Sequence, residues 1–187
     1  AFEPDDSLDA LAEFRVVGDQ HERGAGIGVQ GEQIVDDQPA GLGAQLSLTK
    51  TESQLRDAIT SAREQQISYL ARLVNISSGS LNLTGVRQVG AVLRASLDSL
   101  GFETKWVTMP DAIGRAGHLV AEHRGKPGAV RMLLIGHLDT VFEGEGQQFT
   151  RVDSIARGAG TNDMKGGDVV MLYALQALQT AGVLKDL

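Results

Sequence analysis

The sequence predicts an α/β fold, a mixed sheet with helices on its faces. Three observations carry this. The run Val130-Arg131-Met132-Leu133-Leu134-Ile135 is short, mostly apolar and bounded by glycine. That is the look of a strand buried on both faces of a parallel sheet. Residues 102–108 and 118–124 read as two further strands, and Gly125-Lys126-Pro127-Gly128 is a turn that passes the chain to the apolar run. Amphipathic helical stripes precede and follow these strands.

Composition narrows the class. At 187 residues the chain has room for one domain, or one domain and a tail. A net charge of −7 argues against a nucleic-acid partner and against an anionic membrane surface. Cysteine is absent, which excludes disulfides and thiolate metal sites, so any metal ligands must be His and carboxylate. No apolar run approaches the roughly 18 residues of a membrane helix. No secretory leader is visible, although a start at Ala1 leaves a removed leader or a trimmed chain open. Cytoplasmic and periplasmic or secreted locations stay equally open.

Taken in order, residues 1–50 read as a poorly ordered leader rich in Gly, Asp, Glu and Gln. A short helix is expected over residues 7–17, where Leu8, Leu11 and Phe14 fall at helical spacing. Gly26-Ile27-Gly28-Val29-Gln30-Gly31 has the Gly-x-Gly-x-x-Gly form of a dinucleotide fingerprint. Its surroundings lack the preceding strand and following helix that such a turn needs, so no cofactor is assigned there.

Residues 51–187 read as the ordered part. Thr51 and Gln54 fit a capping box opening one helix that runs to about Val74. Thr84 is the expected cap of a second helix, faced by Val86, Val89, Leu93, Leu97 and Leu100. Gly101 stops it, and Phe102 closes the hydrophobic contact. Asn75 and Asn82 lie in glycosylation sequons that matter only in a secretory pathway. His118 and His123, five apart on a strand, face opposite sides and cannot chelate one metal together. Glu143 and Glu145 read as solvated loop charges. Residues 152–156 read as a short strand. A broad apolar helix follows Met164, ends at Gly182, and starts with Lys165 read as a solvated residue.

The chemistry concentrates after the apolar run. His137 and Asp139 follow its end directly, at the sheet edge where open α/β proteins bind ligands. Residues two apart in an extended segment point to the same side, so ring and carboxylate can cooperate. Asp163 sits in a glycine-rich turn before the last helix and can meet His137 across the sheet edge. A His with two carboxylates has zinc-like donor chemistry. The plainer alternative is a His at a strand end hydrogen-bonded to an Asp in a structural turn.

The segments Gly136-His137-Leu138-Asp139-Thr140-Val141 and Gly158-Ala159-Gly160-Thr161-Asn162-Asp163-Met164-Lys165-Gly166-Gly167 resemble the two N-terminal signatures of a zinc exopeptidase family. That family holds glutamate carboxypeptidase, acetylornithine deacetylase and succinyl-diaminopimelate desuccinylase. The likeness covers about residue 55 to the end. It implies a three-layer α/β/α sandwich with a mixed central sheet, present here in truncated form. It implies that His137 ligates one zinc, that Asp163 bridges two, and that Asp139 stands behind His137 in a catalytic supporting role. It implies a cis peptide after Asp163. Cobalt or manganese would suit the same donors.

The implied reaction is hydrolysis of an amide bond in a small peptide or N-acyl amino acid, such as release of a C-terminal glutamate. The family's general-base Glu, its further ligands and its dimerising lid domain match nothing in residues 1–187. The chain by itself is therefore expected to be inactive. Two alternatives differ in class: a non-catalytic binding protein that retains the half-domain, and a dinucleotide-binding protein using the glycine run.

Overall fold

The computed structural model describes residues 47–144 and 148–187, together with the backbone of one strand, β1 (Ala12–Val16). The glycine run at 24–31, and the leader reading apart from β1 and residues 47–50, lie outside the described residues.

Helix α1 (Lys50–Ser61) opens with a capping box two residues earlier than predicted. Thr49 donates its N–H to Glu52 Oε2 at 2.7 Å, and its hydroxyl accepts the Glu52 N–H at 3.2 Å. The single predicted helix is in fact two. Ala62 breaks it, and α2 runs over Arg63–Val74. The break has local causes. The Thr60 and Ser61 hydroxyls donate back to the carbonyls of Arg56 and Ala58, and the Gln66 amide caps the Ile59 carbonyl at 2.9 Å. Such back-bonding bends helices.

Helix α3 (Leu83–Ser99) is capped by Asn82, which accepts the Gly85 N–H at 3.0 Å, rather than by Thr84. Its end is as predicted. Gly101 takes a φ of +86°, its N–H reaches Asp98, and the Phe102 N–H reaches the Leu97 carbonyl at 3.1 Å. These two bonds are a Schellman closure, with Phe102 buried over it.

Strands β2 (Glu103–Val107), β3 (His118–His123) and β4 (Leu134–Gly136) join β1 in a four-stranded mixed sheet, order β2-β3-β1-β4. β1 runs antiparallel to β3 and parallel to β4. Residues 12–16 are thus a strand where helical spacing predicts a helix. Pairing on both sides outweighs the periodicity of so short a segment.

The apolar run at 130–135 also differs from expectation. Only its end forms β4, and Val130, Met132, Leu133 and Ile135 are each more than half exposed. β4 stands at the end of the sheet, and α4 (Lys165–Thr180) covers the face of Leu134 and Gly136 alone. Ile135 points the other way.

The predicted strand at 152–156 is a hairpin, β5 (Thr150–Val152) and β6 (Ile155–Arg157), turning at Asp153 with a φ of +52°. Arg151 pairs with Glu64 at 2.9 Å and ties the hairpin to α2.

One core unites these parts. Leu73 of α2, Val89 and Leu93 of α3, Leu119 of β3 and Leu172 of α4 share it. α1 and α2 pack on α4, and α3 packs on β2 and β3. On the opposite face of the β2–β3 ladder, Lys105 and Glu122 pair at 3.1 Å. The fold is α/β with a mixed sheet, as the sequence predicts.

Candidate metal centre

β4 ends at Gly136 and delivers His137 to the rim of the sheet. The His137 Nε2 lies 2.8 Å from Asp163 Oδ1. Its Nδ1 lies 3.0 Å from the Asp139 carbonyl oxygen and 3.3 Å from Asp139 Oδ1. Ring and both carboxylates therefore meet, although Asp163 is 26 positions away in the chain. Asp139 is 7% exposed, whereas the Asp163 side chain is 76% exposed and faces solvent.

The turn that carries Asp163 is built on glycine. Gly160 has a φ of +80°, and a Cβ there would lie 2.8 Å from Thr140 Cγ2. A side chain is excluded by conformation and by space together. The Asp163–Met164 peptide is cis, as the family likeness implies.

Asp139 is held from behind by Ser80, whose hydroxyl donates to Oδ2 at 2.5 Å. Ser80 arrives through an isolated parallel bridge between Gly79 and Thr140, with Thr140 N–H to the Ser78 carbonyl at 2.8 Å and Ser80 N–H to the Thr140 carbonyl at 3.1 Å. Nothing in the sequence marks Ser80, which reads there only as part of a helix-breaking stretch.

These contacts set the charges. The Asp139 carboxylate, 3.3 Å from Nδ1, is the main force raising His137 to about 9. Burial opposes it and Asp163 adds to it. Without a metal the ring is therefore an imidazolium between two carboxylates at neutral pH. Burial pushes Asp139 up, but hydrogen bonds from His137 and Ser80 outweigh it, and its pKa is lowered.

Lys165 corrects the sequence reading. It is fully buried, not solvated. Its ammonium donates to the carbonyls of Leu73 at 3.0 Å and Ile76 at 2.9 Å. Leu73 lies in the last turn of α2 and Ile76 just beyond its end, and the Leu73 carbonyl also accepts the Ile76 N–H at 3.1 Å. Burial lowers Lys165 to about 8, with Asp168 opposing.

Asp168, one turn on, is 2% exposed, and neither carboxylate oxygen has a hydrogen-bond partner among the described residues. Burial pushes it up to about 7, against the pull of His137 and Lys165. It lies against Gly136, where a Cβ would come within 2.3 Å of Oδ1. The sequence gives no sign of it beyond an acid in a helix's first turn.

The remaining polar candidates lie elsewhere. His118 sits 3.2 Å from the Met109 sulfur, and His123 packs on the Phe102 ring at 5.0 Å. Glu143 is exposed, as expected, but its Oε1 also accepts the Leu81 N–H at 2.9 Å. Glu145 lies outside the described residues. Asn75 and Asn82 use their side-chain oxygens to accept the Phe149 and Gly85 N–H groups. Among the described residues no group of three or more His, Cys, Asp or Glu is arranged to hold a metal ion, the His137, Asp139 and Asp163 set included. No helix among them is long and apolar enough to cross a membrane.

The sheet edge thus presents a histidine and an exposed carboxylate side by side. Residues 133–186 match the model of peptidase family M20/M25/M40. The chain is also 32% identical over 146 residues to carboxypeptidase G2 of Pseudomonas sp. (strain RS-16), an alignment covering 72% of this chain and 32% of that protein. The chain belongs to the M20/M25/M40 peptidase family. It spans about a third of the length of this curated relative.

Proposed function

We propose that this chain forms part of the catalytic domain of a metal-dependent hydrolase that cleaves an amide bond in a small peptide or N-acyl amino acid. Release of a C-terminal residue such as glutamate is the favoured reaction. The observation that carries the reading is the 2.8 Å approach of His137 Nε2 to Asp163 Oδ1. One imidazole nitrogen and one exposed carboxylate facing a common point suit zinc, and also cobalt or manganese.

His137 and Asp163 would hold the metal. When bound, it supplies a Lewis acid that lowers the pKa of water and polarises the amide carbonyl. The chain's own groups prepare for this. The Asp139 backbone carbonyl takes the Nδ1–H of His137, with the Asp139 carboxylate beside it, and so leaves the Nε2 lone pair for the metal. Ser80 fixes Asp139 in turn. Asp163, with its exposed side chain, would be the carboxylate shared with a second ion.

Two ligands fall short of the three or four protein donors of a zinc site. We therefore read residues 1–187 alone as a weak metal binder without hydrolytic activity, whose proton-shuttling carboxylate comes from further chain.

Calorimetric titration with zinc and cobalt tests this. The expected result is weak binding to the unaltered chain that disappears in both His137→Ala and Asp163→Ala. Absence of binding in the unaltered chain, or binding indifferent to both changes, would overturn the reading and favour a non-catalytic interaction protein.

A further inference from the structure

We propose that Lys165 is a positioning residue of the metal site, an ammonium clamp that holds Asp163 against His137 and Ser80 against Asp139. The inference rests on the metal-site reading above, and it starts from a position a lysine rarely takes. Lysine is almost never fully buried unless its charge is answered. Here the ammonium is answered by the backbone carbonyls of Leu73 and Ile76 at the end of α2. A helix C-terminus carries partial negative charge and free carbonyls, so a cation is favoured there.

The placement links the two halves of the site. Lys165 follows Asp163 by two residues, and its stem lies under Gly160 of the same turn, where a Cβ would come within 3.1 Å of Lys165 Cδ. Ile76 precedes Ser80 by four residues. The contacts therefore close a circuit. It runs from the Ile76 carbonyl to Lys165, along the chain to Asp163, across to His137 Nε2, through the ring to Asp139, and to the Ser80 hydroxyl. From Ser80 it returns along the chain to Ile76. The ammonium thus joins the segment that carries Asp163 to the segment that leads to Ser80, the residue behind Asp139. A buried lysine serving only the core would need no such route, since an apolar side chain of the same length would fill the space.

Lys165→Met keeps the unbranched stem and removes the ammonium. Lys165→Gln keeps a shorter, neutral donor. Leu93→Ala is the control, a packing change in the same core at a residue outside the clamp. Two readouts are taken. The first is cobalt affinity with its visible absorption band. The second, without metal, is the change in the His137 ring signals in NMR when Asp163 is replaced by Asn, which reports the His137–Asp163 contact directly.

Cobalt affinity is expected to fall about tenfold or more in Lys165→Met, as for other residues that orient ligands, and less in Lys165→Gln. In both, the His137 signals lose their response to Asp163→Asn. Leu93→Ala lowers the melting temperature but keeps affinity, band and response. The proposal is overturned if folded Lys165→Met matches the unaltered chain in both readouts, or if Leu93→Ala reproduces its losses. It is also overturned if neither Lys165 variant folds, since the residue is then a general core element. An unaltered chain that shows the metal-free contact but ignores cobalt would sink the metal reading and leave the clamp standing.

Discussion

Ser80 donates its hydroxyl to Asp139 Oδ2 at 2.5 Å, across 59 positions of sequence. A loop that looks like a simple break after α2 thus fixes the acid behind the metal-site histidine. Ser80→Ala leaves one oxygen of a nearly buried carboxylate without that bond. The expected loss is about 1–3 kcal/mol of stability near neutral pH, the usual cost of an unsatisfied buried acceptor. Urea unfolding measures it, and a loss under about 0.5 kcal/mol would show that solvent replaces the hydroxyl.

Metal affinity should follow pH. His137 is raised from 6.5 to about 9 by its carboxylates. A raised folded pKa means that the imidazolium stabilises the metal-free fold fully below pH 6.5, and that this contribution is lost as pH rises through about 9. A metal takes Nε2 only after the proton leaves. Apparent affinity should therefore rise about tenfold per pH unit up to about 9, with roughly one proton released per metal. Calorimetry in buffers of different ionisation enthalpy counts that proton. A release near zero at pH 7 would contradict the imidazolium.

Asp168 should oppose stability at neutral pH. Its pKa stands at about 7 rather than 3.8 because of burial. For an acid raised in the folded state, the penalty is absent below the unfolded pKa, grows from about pH 4 to 7, and is complete above. Asp168→Asn keeps shape and removes the charge. It should stabilise the chain at pH 7.5 by on the order of a few kcal/mol, because a tenfold change in acidity between the folded and unfolded chain is worth about 1.4 kcal/mol. At pH 4 it should change little. Urea unfolding at the two pH values decides. Equal effects at both would assign the residue's role to packing instead.

The site was legible where local chemistry specifies it. His137, Asp139 and Asp163 stand out through spacing, strand-end position and the glycine turn, and the structure brings them together. The close of α3 was equally plain, because Gly101 and Phe102 are a local signal. What stayed hidden depends on partners far along the chain. β1 pairs with β3 and β4, and no window of residues 7–17 contains either neighbour. The exposure of Ile135 follows from β4 standing at the sheet's end, not from its letters. Lys165 and Asp168 are buried because the first turn of α4 docks beside the end of α2 and under Gly136. A lysine at a helix start is ordinarily in water. The caps moved by two residues, from Thr51 to Thr49 and from Thr84 to Asn82, because neighbouring polar residues compete for the same role.

The burial of Lys165 also gives the molecule a built-in reporter. An acylating reagent that marks surface amines should pass over this one while α2 and α4 stay docked. Its slow appearance among labelled peptides would time the parting of those two helices, and so give the lifetime of the closed site in the native protein.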